Sequence, residues 1–282
     1  MNGNLLGYFL RLAFRNLQAS RWMTVLIAVT LGIGIGASML SLSLLHVLSA
    51  DPIPSKSERL FQVTPFAKHG RIAPAAAFTY RDAVSLSSDT QARLVILAAG
   101  LSTFRSTQTD TAPPRQVRVR YTTRHFFDLF DAPFLAGSTW GDREDADGAP
   151  VAVLSNELAQ EGFADAGAIG SSFRLGGVTF RVIGVLAPWR PAPRYYDLSI
   201  GAYAPADDVY IPLNAIKNLN DSAFASFSCP PGAILPGSAT AARLPTSNCV
   251  WLTAWTQLDD EHKQQSFRRF LDNYLAAQQH DG

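Results

Sequence analysis

From Trp22 to Leu48 the chain carries no charged side chain, and its one titratable group, His46, lies near the far end. At about 1.5 Å of rise per residue, Met23 to Leu45 spans roughly 35 Å as a helix, enough to cross a hydrocarbon core of about 30 Å with some tilt. The run therefore reads as a membrane span, residues 22–48, and fastens the chain to a bilayer. Ahead of it lie Arg11, Arg15 and Arg21 with no acid, whereas Asp51 and Glu58 mix with Lys56 and Arg59 behind it. That asymmetry predicts a cytoplasmic N-terminus and an outer C-terminal body. The competing reading is a signal peptide cut after Leu48-Ser49-Ala50. Its apolar core would run to only about 7–15 residues behind a short basic segment, and this run is longer and follows a leader that ends at Arg21.

In that leader, residues 1–21, Leu5, Leu6, Phe9, Leu10, Ala13, Phe14 and Leu17 recur at helical spacing with Arg11 and Arg15 on another face. The pattern is that of an amphipathic helix on the inner leaflet, or else an extension of the span. Within the span, Ala28, Gly32 and Gly36 stand four apart, an interval that lets a second helix approach closely. Glycine is also simply frequent in membrane helices.

Past the span no stretch is long and apolar enough to cross again, which leaves a folded body outside the membrane. A formal net charge of +1, with 17% charged residues, offers no global basic field for nucleic acid. The two cysteines, Cys229 and Cys249, both lie in this body, 20 positions apart. In an oxidising compartment they can pair, closing a loop worth about 3 kcal/mol around Pro230–Asn248, a segment poor in core formers. Two separate buried thiols are the alternative.

Local patterns predict an α+β body. Glu58–Pro65 reads as a strand, Thr79-Tyr80-Arg81-Asp82 as a capping box opening a helix, Arg93–Gly100 as a buried strand, and Gln116–Tyr121 as a half-buried one with Arg118 and Arg120 turned to solvent. Arg124–Phe130 reads as a short helix, and the acid-rich Gly141–Gly148 as a solvated connector and boundary. Val151–Leu154 then forms a strand, Ser155 caps the helix Asn156–Phe163, and Gly176-Gly177 joins Ser172–Leu175 to Val178–Leu186 as a hairpin. Pro188–Pro205, rich in proline, reads as an irregular exposed arm. Its Trp189, Arg194, Tyr195 and Tyr196 are of the types that dominate binding hot spots, unless the aromatics tuck back onto the sheet. Val209–Leu213 and Val250–Leu258 are further strands, and Asp259 or Asp260 caps a final helix to about Gln279 with Phe267, Phe270, Leu271, Tyr274 and Leu275 on one face.

Chemistry-bearing motifs are missing. The glycines from Gly162 to Gly170 lack the lysine of a phosphate loop, the five histidines include no His-Glu-x-x-His pair, and Ser138 is misplaced for a nucleophile elbow. His125 with Asp128 is at most a partial triad. The chain reads as non-enzymatic, with no cofactor and no metal.

The whole pattern resembles the N-terminal half of MacB-like, FtsX-like ABC transporter permeases: the first membrane helix plus the periplasmic core domain. The residues that carry it are Leu12-Ala13-Phe14-Arg15-Asn16-Leu17, the glycine-rich Leu31–Ser38, the exit Asp51-Pro52-Ile53-Pro54 with Glu58-Arg59-Leu60, Phe126–Phe130 with Phe134–Gly137, and Val151–Ser155, Ala168-Ile169-Gly170 and Val178–Leu186. The resemblance implies a two-part periplasmic domain: a porter-like part at 51–137 and 246–282, and an inserted β-rich sabre-like part at 138–245. It also implies location in the bacterial inner membrane, a dimer, and efflux or transport in which an ABC ATPase subunit drives the ectodomain to act on a periplasmic adaptor protein or on a substrate in the periplasm. Family permeases continue into three more spans, whereas this chain stops at Gly282. It is therefore expected to be either half of a split or longer permease, the remaining spans lying on another chain, or a single-pass anchored scaffold with no transport role.

Overall fold

The computed structural model describes residues 8–9, 20–49, 51, 53–64, 78–87, 92–107, 113–163, 167–219, 223–224, 227–229 and 245–280. The expected leader helix and most of Pro230–Asn248 fall outside them. Two compact units result, Met1–Asp51 and Pro52–Gly282.

The first unit is one apolar helix, α1 (Arg21–Ser49). It is long and apolar enough over Arg21–Val47 to cross a membrane, and none of its most apolar window is buried by protein. Thr30, Ser38 and Ser41 turn their hydroxyls back to carbonyls three or four residues earlier, at 2.9–3.0 Å. Polar atoms on an apolar helix are satisfied in this way without a partner.

The second unit is built on a ten-stranded sheet. A short 3-10 turn, Ser57–Arg59, leads into β1 (Leu60–Val63). Helix α2 (Tyr80–Leu86) opens on the expected box: the Asp82 N–H donates to Thr79 Oγ1 at 3.1 Å, and the Thr79 N–H donates to Asp82 Oδ2 at 3.3 Å. There follow β2 (Arg93–Ser106), β3 (Arg115–Thr122), α3 (Phe126–Leu129) and β4 (Phe134–Gly137). Next come α4 (Asp142–Asp147), β5 (Val151–Leu154), α5 (Asn156–Phe163), β6 (Ser172–Leu175) and β7 (Val178–Leu186). The chain ends with β8 (Val209–Pro212), β9 (Ala223–Phe224), β10 (Thr253–Gln257) and α6 (Glu261–His280).

Strand pairing closes part of this sheet on itself. β2 pairs antiparallel with β3, β3 parallel with β8, β8 antiparallel with β5, β5 parallel with β7, β7 antiparallel with β6, and β6 antiparallel with β2 again. The ring is a six-stranded barrel, and period-2 alternation fills it. Phe104, Val117, Val119, Ala152, Leu154, Phe173, Phe180, Val182 and Ile211 belong to one buried cluster, while their neighbours Val151, Val153 and Tyr210 belong to a second cluster, on the outer face. Gly176 and Gly177, at φ 55° and 86°, make the β6–β7 hairpin that Ser172–Leu186 predicts. Helix α5 packs Leu158, Ala159 and Phe163 onto the inner cluster; its start is fixed by the Leu158 N–H donating to Ser155 Oγ at 3.1 Å.

β2 is long because it serves two structures. Arg93–Leu97 also pairs with β10, which carries β1 beyond it, extending the sheet as an open three-stranded wing. One face of the wing joins the inner cluster under α2 and α6, through Trp251, Leu252, Ala254 and Phe267. Asp260 caps α6 by accepting from the Lys263 N–H at 2.7 Å, and Tyr274 ties α6 to α2 by donating to Asp82 at 2.8 Å. Cys229 and Cys249 form a disulfide. Strands assigned by sequence to the porter-like and sabre-like parts interleave in this one sheet.

The acid-rich stretch after Trp140 is solvated as expected, with none of Asp142–Asp147 buried, but it is a helix, α4, where a plain connector was expected. Glu144 accepts from the Gly141 N–H at 2.8 Å, the acids of the first turn favour the helix N-terminus, and Gly148 ends it at φ 62°. A Cβ at residue 148 would come within 2.5 Å of the Asn214 backbone, so the end of the helix is packed against the body.

The barrel interior predicts a steep contrast. Phe173 is fully buried, with ring centroids 5.1 Å from Phe104 and 6.0 Å from Phe180. Phe173→Ala should cost about 3–5 kcal/mol in chemical denaturation of the purified protein. Leu101→Ala, on a side chain 44% exposed, should cost no more than about 0.5 kcal/mol. Equal losses would show that the ring is not a packed core.

Candidate functional site

The arm Pro188–Pro205 has no regular secondary structure, yet it is not an exposed arm. Arg194 and Tyr196 are each 1% exposed, and Trp189 and Tyr195 are half-buried. The burial has a packing cause. The outer face of the sheet presents Val153, Tyr210, Leu97 and the α3 phenylalanines, and the arm's aromatics cover them. Trp189 stacks on Tyr196 with centroids 5.4 Å apart, Tyr196 meets Phe126 edge to face at 5.4 Å, and Trp255 donates its indole N–H to the Tyr196 carbonyl at 2.9 Å. Of the expected partner-binding residues, Arg194 and Tyr196 are taken up by the fold.

Charge fixes the same segment. Arg120, the register partner of Tyr210, points to the outer face and is completely buried. Its Nε donates to Asp207 at 2.9 Å and its Nη1 to Asp197, while Arg194 reaches the other oxygen of Asp207 at 3.2 Å. Both guanidiniums lie over the Tyr196 ring, at 5.3 and 5.5 Å. Burial opposes charge on Arg120, but the Asp207 and Asp197 carboxylates outweigh it and raise its pKa further. Burial likewise works to raise the Asp197 pKa, and Arg120 together with Ser199 overrides it, holding the carboxyl below its ordinary value. Tyr196 is pushed upward, by burial first and by Asp207 second. The alternation that marks β3 as half-buried assigned Arg120 to solvent. The sequence signal for the network is an acid pair, Asp207-Asp208, immediately before an apolar strand.

Between this arm, the first half of β3 and α5 lies a cleft of about 560 Å³. Its rim carries three ion pairs: Arg115–Glu161 at 2.6 Å, Arg118–Asp208 at 2.8 Å and Arg190–Glu157 at 2.7 Å. Five of these six side chains are more than a third exposed, so each pair is worth little and can exchange for a ligand. Tyr203, 68% exposed, and Arg190 are what the arm leaves at the surface here. Of the four residues that hot-spot composition singles out, Arg194 and Tyr196 are buried and Trp189 and Tyr195 half-buried.

His125 lies at the start of α3 with burial, then Arg124 and Arg93, pressing its pKa down. No group of three or more metal-ligating side chains occurs among the described residues. On α1, Gly32 and Gly36 would meet nothing within 4 Å if given a Cβ; Ala28 shares their exposed face of small side chains.

The downward shift of Asp197 has a definite pH consequence. A carboxyl whose folded pKa is depressed contributes stability above its unfolded value, about 3.9, and loses it as pH falls through the folded value. Thermal unfolding of wild type and Asp197→Asn, followed by circular dichroism from neutral pH downward, should show the variant less stable near neutrality and the gap closing below about pH 4. A gap independent of pH would contradict the assignment.

Residues 24–242 match the family model described as MacB-like periplasmic core domain. Comparison with curated proteins returned no match. Among solved structures, the chain is similar to the periplasmic region of MacB from Actinobacillus actinomycetemcomitans, at 14% identity over 79% of this chain and 86% of that one, with a TM-score of 0.49. It is also similar to the extracellular domain of the noncanonic ABC-type transporter YknZ from Gram-positive bacteria, at 18% identity over 76% and 92%, with a TM-score of 0.46. The family match runs from inside the apolar helix through the barrel, and on that basis the chain belongs to the MacB-like periplasmic core domain family.

Proposed function

We propose that this protein is the membrane-anchored outer half of an ABC-type permease, passing movement driven by a cytoplasmic ATPase to a protein partner in the periplasm. The observation that carries the reading is the continuity of the family match, which includes most of α1 and the body as far as residue 242. The packed body suits it. A filled barrel with an arm pinned by buried ion pairs moves as one piece, and a mechanical coupler has to transmit displacement without deforming. The arginines ahead of the span support a cytoplasmic N-terminus.

The reading requires that α1 meet other spans. Ala28, Gly32 and Gly36 are the proposed contact, since small residues allow the backbone approach that holds helices together in lipid. A dimer, an ATPase subunit, a chain bearing further spans and a periplasmic adaptor are the proposed partners, and the inner membrane is the proposed location.

Purification of the tagged full-length protein from membranes, with quantitative mass spectrometry of the co-purifying chains, tests this. An ABC ATPase and a multi-span chain should be enriched about tenfold or more over an unrelated anchored control, and Gly32→Leu with Gly36→Leu should cut that recovery by about fivefold, roughly 1 kcal/mol of helix packing. Recovery of an envelope protein with no ATPase would replace coupling by the scaffold reading.

A further inference from the structure

The cleft beside α5 contains an unfilled position in the sheet. β3 pairs with β2 along its whole length, but β8 covers only Val119–Thr122, leaving Arg115–Arg118 with a strand on one side. Ladder parity tells which main-chain groups face the open side. The Thr123 N–H donates to the Ile96 carbonyl at 3.3 Å, so odd-numbered residues of β3 turn their N–H and C=O toward β2, and even-numbered ones turn away. At Arg118 the outward pair is satisfied by Asp208: its N–H donates to the Arg118 carbonyl at 2.9 Å, and its carboxylate accepts from the Arg118 N–H at 2.8 Å. One step earlier, the N–H and C=O of Gln116 face the cleft with no partner among the described residues. The chain that would have continued β8 backward turns away at Asp207, whose carboxylate is held by Arg120 and Arg194.

We propose that the cleft takes an extended polypeptide segment of a protein partner, which adds to the free edge of β3 at Gln116 in line with β8. The volume, about 560 Å³, falls in the range of sites that enclose a ligand, roughly 300–1,000 Å³. One donor and one acceptor at strand spacing is what a peptide backbone complements. The charges select the class of occupant. Four guanidiniums and four carboxylates line the cleft, so a polyanion would meet as much repulsion as attraction. A main chain with mixed side chains meets neither, and the exposed rim pairs can open to its charged residues. Tyr203 offers an exposed ring at the same rim. The inference rests on the reading that this body engages a protein, and it adds the mode of recognition.

The probe is a random heptapeptide library displayed on phage, panned against the full-length protein in nanodiscs; selected peptides are then synthesised and titrated by fluorescence anisotropy. Gln116→Ala keeps the main chain and should leave the Kd within about twofold, whereas Gln116→Pro deletes only the cleft-facing N–H and should weaken binding about tenfold. N-methylation of the single peptide amide that pairs with the Gln116 carbonyl should weaken binding by a similar factor of about ten, with adjacent amides tolerant. That arm acts on the peptide and stands even where the proline variant unfolds. Failure to select any peptide with a Kd below about 1 mM, or binding indifferent to N-methylation, overturns strand addition. If an ATPase still co-purifies, the permease reading survives that outcome; if none does, both fall.

Discussion

A fully buried guanidinium on the outside of a barrel is the constraint on which the rest of this body depends. Arg120 stands in the middle of a strand, where an unpaired charge would cost several kcal/mol. It is tolerable only with Asp197 and Asp207 in place, and these come from the middle of the irregular arm and from the residues that lead out of it into β8. That segment must therefore lie across the strand whenever the strand is formed. Arg194, from the same segment, completes the neutralisation by sharing Asp207. The aromatic cover over α3 follows, because both guanidiniums contact the Tyr196 ring, which carries its neighbours Trp189 and Tyr195 with it.

The closed ring supplies the second fixed element, and its cause is the length of β2. A strand that pairs with β10, then β3, then β6 along 14 residues must twist through the sheet and bring the far edge back to itself. Close backbone approach helps where β4 lies against β7: a Cβ at Gly137 would fall 2.1 Å from the Ile183 carbonyl, and one at Gly184 2.7 Å from that of Ser138. Only glycine fits at both.

Much of the local structure was legible. The apolar run gave α1, the Thr79–Asp82 box and Ser155 gave two helix starts, Gly176-Gly177 gave the hairpin, and Phe267, Phe270, Leu271 and Tyr274 gave the buried face of α6; the side chain of Leu275 lies outside the described residues. Each of these is written within a few neighbouring residues. What sequence reasoning missed is non-local. The parallel pairing of β3 with β8 joins residues some 90 positions apart, and closure of the ring follows from pairings that no local period encodes. Arg120 was misassigned for the same reason: alternation reports that two faces differ, and it does not report that the second face is covered by a segment far along the chain. The acids after Trp140 are solvated as their composition indicates, but acids in a first turn also favour a helix N-terminus, and that is the signal for α4. The disulfide pairing followed from there being two cysteines, and the cleft could not be seen at all, since its walls come from three separate regions.

The same chemistry plays opposite parts on the two sides of the arm. Within the network, Arg120, Asp197 and Asp207 are at most 2% exposed, and breaking one partner strands the others in a medium that cannot screen them. Across the cleft, the Arg115–Glu161 and Arg190–Glu157 side chains are 36–69% exposed, where water and salt screen each pair and its loss costs at most about 1 kcal/mol. A body arranged in this way can vary its rim without disturbing its frame. Substitution is tolerated at the rim of the cleft and not at the charges that hold the arm. Under the proposed reading, in which the body hands motion to a protein, that division lets the contacted surface change with the partner as the transmitting body stays rigid.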